Sequence, residues 1–302
     1  MAEPPGPPLL DLTSWRGLVA LGVFGGVVLL SFAPVHGFVH EFLGHGLAAL
    51  ALGQSFTGIY LTPFGAQYSF ETLSLSPAAA ALQLAAGSLV SVAAGFVVFL
   101  FVYPRAAQRS ASAAVFVLFA VLQFETDLMY PFLSTILNYG DLDNLAKIVR
   151  LSPTWAASLV VAPLAFAGLY PVVREYLRVL SPFCGDLSSA RARLLKVLEV
   201  GYLPVIFYIG ATVAVLYVFS GPAVSSFWAE GSAIGVSLLL PVLVALSLRP
   251  WGWVGAGAPS LGDAGSASVG LRRWALVSVL LIVVFVAAFG PTFESSWGWT
   301  WG

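Results

Sequence analysis

The sequence predicts an all-α polytopic membrane protein with about seven or eight transmembrane helices and a short interfacial β-hairpin. Of its 302 residues, 59% are hydrophobic and only 9% are charged, and the mean hydropathy is +0.93. Soluble domains carry about 25% charged residues, so this deficit is too large for a globular core. The net charge of −1 excludes bulk electrostatic binding of nucleic acid as a main role. The single cysteine, Cys184, cannot form an internal disulfide.

The first helical region lies on both sides of Pro34. Residues 1–14 are Pro-rich and are expected to form a flexible N-terminal segment. Apolar runs follow at 18–33 and 35–52. Together they would make a helix about 50 Å long, against a hydrocarbon core of about 30 Å. The sequence alone therefore allows either two short spans or one long span kinked at Pro34.

Segment 58–71 is rich in β-branched and aromatic residues and has Pro63 and Gly65 near its middle. This pattern predicts a β-hairpin. Bare strands cannot face lipid, so we expect the hairpin to lie at the membrane interface or against helices.

The remaining apolar runs divide the chain into two parts. Residues 15–150 are expected to form a membrane-embedded core, and 151–302 to add further transmembrane helices with a charged loop at 174–199 and a flexible loop at 252–270. The tail 296–302 has the Trp content of an interfacial anchor. The further predicted spans are 77–103, 111–128, 153–173, 200–219, 231–248 and 274–289.

All three histidines of the chain lie within ten residues, at His36, His40 and His45, with Glu41 between them. Ionisable side chains inside an apolar span indicate a functional site. Two histidines with an adjacent glutamate are also the pattern by which zinc hydrolases hold a metal and a base. The function predicted from these residues is that of an intramembrane zinc metalloprotease.

The spacing of these histidines departs from the usual HExxH arrangement by one residue. His40 and His45 are five residues apart, which on a regular helix separates them by ~140°. They can share a metal only through a local distortion such as a π-bulge. Gly44 is the position at which the backbone would yield most easily.

Two other interpretations of the histidines stay open. His36 and His40 are four residues apart and could share a metal directly. The cluster could also be a hydrogen-bonded polar group between helices, without any metal.

A third protein ligand is needed, and Asp141 and Asp143 are the best candidates. They follow an apolar run in a segment that also contains Asn138 and Asn144. Asp141 could alternatively be the N-cap of a short helix, and Asp143 a solvated interfacial charge. The other candidate ligands are His36, Glu125 and Asp127. His36, Asn138 and Asn144 could also orient the ligands or contact a substrate.

Three stretches of the sequence together resemble the site-2 protease family of intramembrane zinc metalloproteases, in a divergent form with an HExxGH-type motif. Residues 40–50 are similar to the zinc helix of that family, 59–67 to the strand-and-glycine segment after it, and 82–91 to a helix with an AGP motif, where Ser88 replaces the proline. The HExxGH motif, with its one extra residue, also occurs in the dipeptidyl peptidase III family, where the motif still binds zinc.

The resemblance implies a Zn²⁺ cofactor held by His40 and His45, and hydrolysis of peptide bonds in a membrane-embedded protein substrate. Glu41 would be the base that activates the hydrolytic water at the zinc. The third ligand of that family is the Asp of an LDG motif, which Leu142 and Asp143 match in two letters.

Two other functions fit the same residues. One is a catalytically inactive relative that only binds membrane partners, because the inserted residue spoils the metal site. The other is a transporter that uses the His/Glu/Asp cluster for ions or protons. In each case we expect a multi-pass protein, in the plasma membrane of a prokaryote, with the lipid bilayer as a partner and no nucleic acid.

Charge and resemblance disagree on the orientation of the chain in the membrane. Most Lys and Arg residues fall on the side opposite Asp141 if the spans are as predicted. The positive-inside rule then places the metal outside the cytoplasm, whereas the family resemblance implies a metal nearer the cytoplasm.

Overall fold

The computed structural model describes residues 11–62, 65–70, 75–106, 140–220, 244–245, 264–289 and 297–300. The predicted span 111–128 lies outside the described residues, as does nearly all of the span 231–248. Glu125, Asp127 and Asn138 also lie outside them.

Among the described residues, four helices are long and apolar enough to cross a membrane. This finding fits a membrane protein, while the total of seven or eight spans stays a prediction. The four helices are Trp15–Ala51, Pro77–Arg105, Ala156–Leu180 and Ala190–Ala214.

The first of these helices is a single continuous element, which decides between the two arrangements that the sequence allowed. Helix α1 (Trp15–Gly37) leads into a π-helix (Phe38–Gly46), here called the π-segment, and then into α2 (Leu47–Ala51). Pro34 lies inside the helix without ending it. The helical turn after Pro34 closes through the Phe38 N–H, which donates to the carbonyls of Pro34 and Val35.

The end of the supposedly flexible segment 1–14 is in fact fixed. Leu12 is 0% exposed, and its N–H donates to the Phe183 carbonyl over 3.1 Å. The Leu12 carbonyl accepts from Lys196 Nζ at 2.7 Å. Ser14 then caps α1 by accepting from the Gly17 N–H. Residues 11–14 are ordered because burial of Leu12 and the cap compensate the entropy of fixing them, and residues 1–10 lie outside the described part of the chain.

A small antiparallel sheet follows α2. Strands β1 (Phe56–Thr62) and β2 (Gly65–Phe70) pair with Ile59 opposite Tyr68. A third strand, β3 (Trp297–Thr300), pairs with the other edge of β1, so the strand order is β2-β1-β3. The tail predicted to be an aromatic anchor therefore contributes a strand. A four-residue strand has no signal of its own in the sequence, because only its partner defines it.

The remaining helices are α3 (Pro77–Val97), a short π-helix (Val98–Val102), α4 (Tyr103–Ala106), α5 (Asp141–Ile148), α6 (Ala156–Leu180), α7 (Ala190–Ser220) and α8 (Ala264–Phe289). A 3₁₀ turn (Ser181–Phe183) follows α6. The prediction of a charged loop at 174–199 is wrong for most of its length, because α6 and α7 extend into it and pair its charges along their faces. Residues 264–270 of the predicted flexible loop belong to α8, and 252–263 lie outside the described residues.

Close packing of α1 against α7 forms the centre of the bundle. A Cβ atom on Gly25 would lie 2.4 Å from Pro204 Cβ, and one on Gly22 would lie 2.6 Å from the Phe207 ring. Small residues let membrane helices approach closely. Leu21, Val28, Leu169, Leu177 and Val197 contribute to the buried core beside this contact.

Leu12→Ala should destabilise the protein by about 2–5 kcal/mol, because the buried side chain would leave a cavity at the start of α1. Leu195→Ala is the matched control, since Leu195 is 51% exposed and its loss should change stability by less than about 0.5 kcal/mol. Thermal unfolding of both variants in detergent measures the difference. Equal melting temperatures for the two would contradict the anchoring role of Leu12.

Candidate metal centre

Three side chains from two distant parts of the chain converge on one point. His45 Nε2 lies 3.1 Å from His40 Nε2 and 3.2 Å from Asp141 Oδ2. The third distance, from His40 Nε2 to Asp141 Oδ2, is 3.4 Å. His40 and His45 are buried, while the Asp141 side chain is 25% exposed. These residues form the group that could hold a metal ion.

The π-segment brings the two histidines together. A π-helix pairs residue i with residue i+5, so side chains five residues apart come onto one face. The His40 and His45 rings accordingly have centroids 4.8 Å apart, with an interplanar angle of 74°. The distortion that the spacing predicts is present, but it covers the nine residues Phe38–Gly46 rather than a single turn at Gly44.

A backbone carbonyl fixes the orientation and tautomer of His45. His45 Nδ1 lies 2.7 Å from the Gln83 carbonyl oxygen of α3. A carbonyl can only accept, so Nδ1 carries the proton and the lone pair of Nε2 points at the cluster. Metal-binding histidines are commonly oriented by such a contact.

Two glycines allow α3 to approach the π-segment. A Cβ atom on Gly44 would lie 2.5 Å from the Gly87 Cα atom. A Cβ atom on Gly87 would lie 2.3 Å from His45 Nε2 and 2.7 Å from His40 Nε2. Gly87 therefore leaves open the space beside the two nitrogen atoms that a metal would need.

Asp141 enters the site from the first turn of α5. Gly140 precedes it with φ 84° and ψ −174°, a conformation that glycine adopts without strain. Asp141 is the first helical residue rather than the N-cap, and its carboxylate is thereby free to reach the histidines. Burial alone would raise the pKa of this carboxyl, but hydrogen bonds and charge from His40 and His45 hold the pKa well below its usual value.

The donor set fits a zinc ion. Ligand atoms that lie ~2.0–2.1 Å from a tetrahedral zinc are ~3.3 Å from one another. The observed 3.1, 3.2 and 3.4 Å are close to this spacing, so His40, His45 and Asp141 would be able to hold such an ion. Two histidines with one carboxylate are also a ligand set of zinc hydrolases.

Among the residues that the structure describes, the other predicted ligands do not join this group. Asp143 is 0% exposed, and its Oδ2 pairs with Lys147 one helical turn away. Two residues along α5 from Asp141, it points in a different direction because helical neighbours at this spacing do not share a face. The His36 ring centroid is 5.8 Å from that of His40, so the pairing of His36 with His40 is less close than that of His40 with His45. Asn144 is exposed.

Glu41 directly follows His40 in the π-segment and is half-buried. One of its carboxylate oxygens, Oε2, is buried. The predicted base thus lies in the same distorted helix as both histidines.

Sequence reasoning missed Gln83, Gly87 and Gly140 as parts of the site. Gln83 contacts His45 through its main-chain carbonyl. Every residue type has this group, so the sequence cannot indicate the contact. Gly87 lies in the stretch that resembles the AGP-containing helix, so this likeness was the one available signal. Comparisons with family models, with characterised proteins and with solved structures returned no match to this chain.

Gly87→Ala should lower zinc affinity by about 10- to 100-fold, because the new Cβ atom would lie against the Nε2 atoms of His40 and His45. This is the usual cost of disturbing groups that orient metal ligands. Gly210→Ala in α7 is the matched control, since nothing lies within 4 Å of a Cβ there. Zinc content after purification and zinc titration compare the two. Full zinc binding by Gly87→Ala would contradict the site geometry.

Asp141→Asn should lose zinc, because a neutral amide is a poor substitute for a carboxylate ligand, whereas Asp143→Asn should retain it. Asp143→Asn should instead lower stability, because it breaks the ion pair with Lys147 and changes a buried polar group. Metal content and melting temperature of both variants separate the two roles. The reverse pattern of zinc retention would identify Asp143 as the ligand.

Proposed function

We propose that the protein is an intramembrane zinc metalloprotease, a multi-pass protein of a prokaryotic plasma membrane that hydrolyses peptide bonds of membrane-embedded substrates. The observation that carries this proposal is the triangle of His40, His45 and Asp141 donor atoms, with Glu41 directly after His40 in the same π-segment. The apolar helix that holds both histidines supports the intramembrane location.

When bound, zinc would polarise the scissile carbonyl and make water a stronger nucleophile near neutral pH. The two imidazoles and the Asp141 carboxylate would hold the ion. The contact of His45 Nδ1 with the Gln83 carbonyl leaves Nε2 as the ring atom that would coordinate the ion.

Glu41 supplies the acid–base chemistry in this proposal. Its carboxylate takes a proton from the attacking water and gives it to the leaving amine. Its place directly after His40 in the π-segment suits this role, because the zinc-hydrolase pattern has the base next to the first histidine ligand.

A substrate helix must unwind before its carbonyls become accessible, and the sheet offers an edge for the extended chain. β1 lies between β2 and β3, so β2 (Gly65–Phe70) is the edge strand next to the π-segment in the described part of the chain. We propose that an unwound substrate segment adds to this edge.

The π-segment also bears on the two rival functions. An inactive relative would result if the inserted residue separated His40 from His45, but the π-segment returns them to one face. A transporter would use the same residues without cutting a peptide bond, so a cleavage assay distinguishes a protease from a transporter.

Glu41→Gln should retain zinc but lower cleavage of a model membrane substrate by about 10²- to 10⁴-fold, the usual contribution of a general base. His45→Ala should lose both zinc and cleavage, and a zinc chelator should inhibit the unmodified protein. Leu195→Ala, at an exposed position of α7, serves as a control that keeps both properties. Undiminished cleavage by Glu41→Gln would refute the protease mechanism, and zinc binding without any cleavage would favour the rival functions.

A further inference from the structure

We propose that the metal centre lies at the extracytoplasmic side of the membrane and acts on peptide bonds in the outer half of the bilayer. The orientation stands on the charges and lengths of the helices. The substrate position rests in addition on the proposed protease function.

One end of the bundle is strongly basic. The start of α1, the end of α6 and the start of α7 meet there, since Leu12 bonds to both Phe183 and Lys196. The end of the helix Pro77–Arg105 joins them, because Tyr103 Oη donates to Glu175 Oε2 at 3.0 Å. The Lys and Arg residues of this basic end are Arg16, Arg105, Arg174, Arg178, Arg191, Arg193 and Lys196.

The opposite end carries the metal centre and few basic residues. α5 brings Asp141 to the histidines, and the chain then enters α6, which runs back to the basic end. Lys147 and Arg150 lie between Asp141 and the start of α6. In the described part of the chain these two basic residues compare with the seven of the basic end, and the positive-inside rule counts Lys and Arg rather than net charge.

Helix lengths place the metal centre far from the basic end. His40 lies 25 residues beyond Trp15, or about 37 Å at the rise of an α-helix. Gly87, beside the histidines, lies 18 residues before Arg105, or about 27 Å. The hydrocarbon core is about 30 Å thick, so a basic end at one interface puts the metal centre near the other interface.

The distribution of positive charge then fixes the orientation. Short loops and helix ends rich in Lys and Arg stay on the cytoplasmic side of a membrane. The basic end has this character through the last turns of α6, with Arg174 and Arg178, and the first turns of α7, with Arg191, Arg193 and Lys196. The metal centre therefore faces outward. The family resemblance implied the opposite, but it rests on local motifs, whereas the charge argument uses the whole described bundle.

Cysteine labelling in the full-length protein tests the orientation directly. Ser152 is exposed at the metal end and Ala190 is exposed at the basic end, so Ser152→Cys and Ala190→Cys report on the two sides. The unmodified chain is the control, because Cys184 is buried and burial raises the pKa of its thiol to about 12, which makes it unreactive. Zinc content equal to that of the unmodified chain shows that each variant is folded.

A membrane-impermeant maleimide applied to intact spheroplasts should label Ser152→Cys at least tenfold more than Ala190→Cys, and inside-out vesicles should show the reverse. The opposite pattern, or equal labelling of both variants, would overturn the orientation, whether or not the protein is a protease. For the substrate position, mass spectrometry of a cleaved model substrate should place the new ends in its outer half, and ends in the inner half would overturn that part. Correct labelling with no cleavage that depends on Glu41 would overturn the protease function and leave the orientation in place.

Discussion

The structure depends on one constraint, which is that two histidines five residues apart must face the same point from within a membrane helix. A regular α-helix cannot satisfy this spacing, and the i→i+5 pairing of the π-segment does. Gly44 and Gly87 then let α3 approach until its backbone lies beside both Nε2 atoms. The distortion, the helix crossing and the donor geometry are thus parts of one arrangement, and a change to any of them alters the others.

The electrostatics of the site follow from its burial. An ion with charge +2 in an apolar helix bundle needs nearby negative charge, and Asp141 and Glu41 together could supply it. Asp141 also lies in the first turn of α5, where the helix dipole favours a carboxylate. Gln83 needs no charge to contribute, because its carbonyl oxygen only orients His45.

The two ends of the bundle differ in their contacts and in the regularity of their backbone. At the basic end, Glu175 accepts hydrogen bonds from Tyr103 and Arg178, and Lys196 bonds to both Glu199 and the Leu12 carbonyl. These contacts join the ends of four helices in a region where headgroups and water are close. The metal end has the π-segment, the sheet and α5, which are irregular elements. Irregular backbone at membrane depth is tolerated where it is buried in protein or lines a polar site, and the group that could hold a metal ion lies there.

The sequence by itself determined the apolar character typical of a membrane protein, the histidine cluster, and the need for a backbone distortion if His40 and His45 are to share a metal. Composition shows how few charged residues the chain carries, and on a regular helix residues five apart lie ~140° apart. Tertiary structure alone decided that Asp141 and not Asp143 joins the histidines, that the Gln83 carbonyl orients His45, and that Trp297–Thr300 pairs with β1. Each of these outcomes joins residues at least 38 positions apart, and neither residue type nor local periodicity encodes which distant backbone atoms will come within 3 or 4 Å of one another.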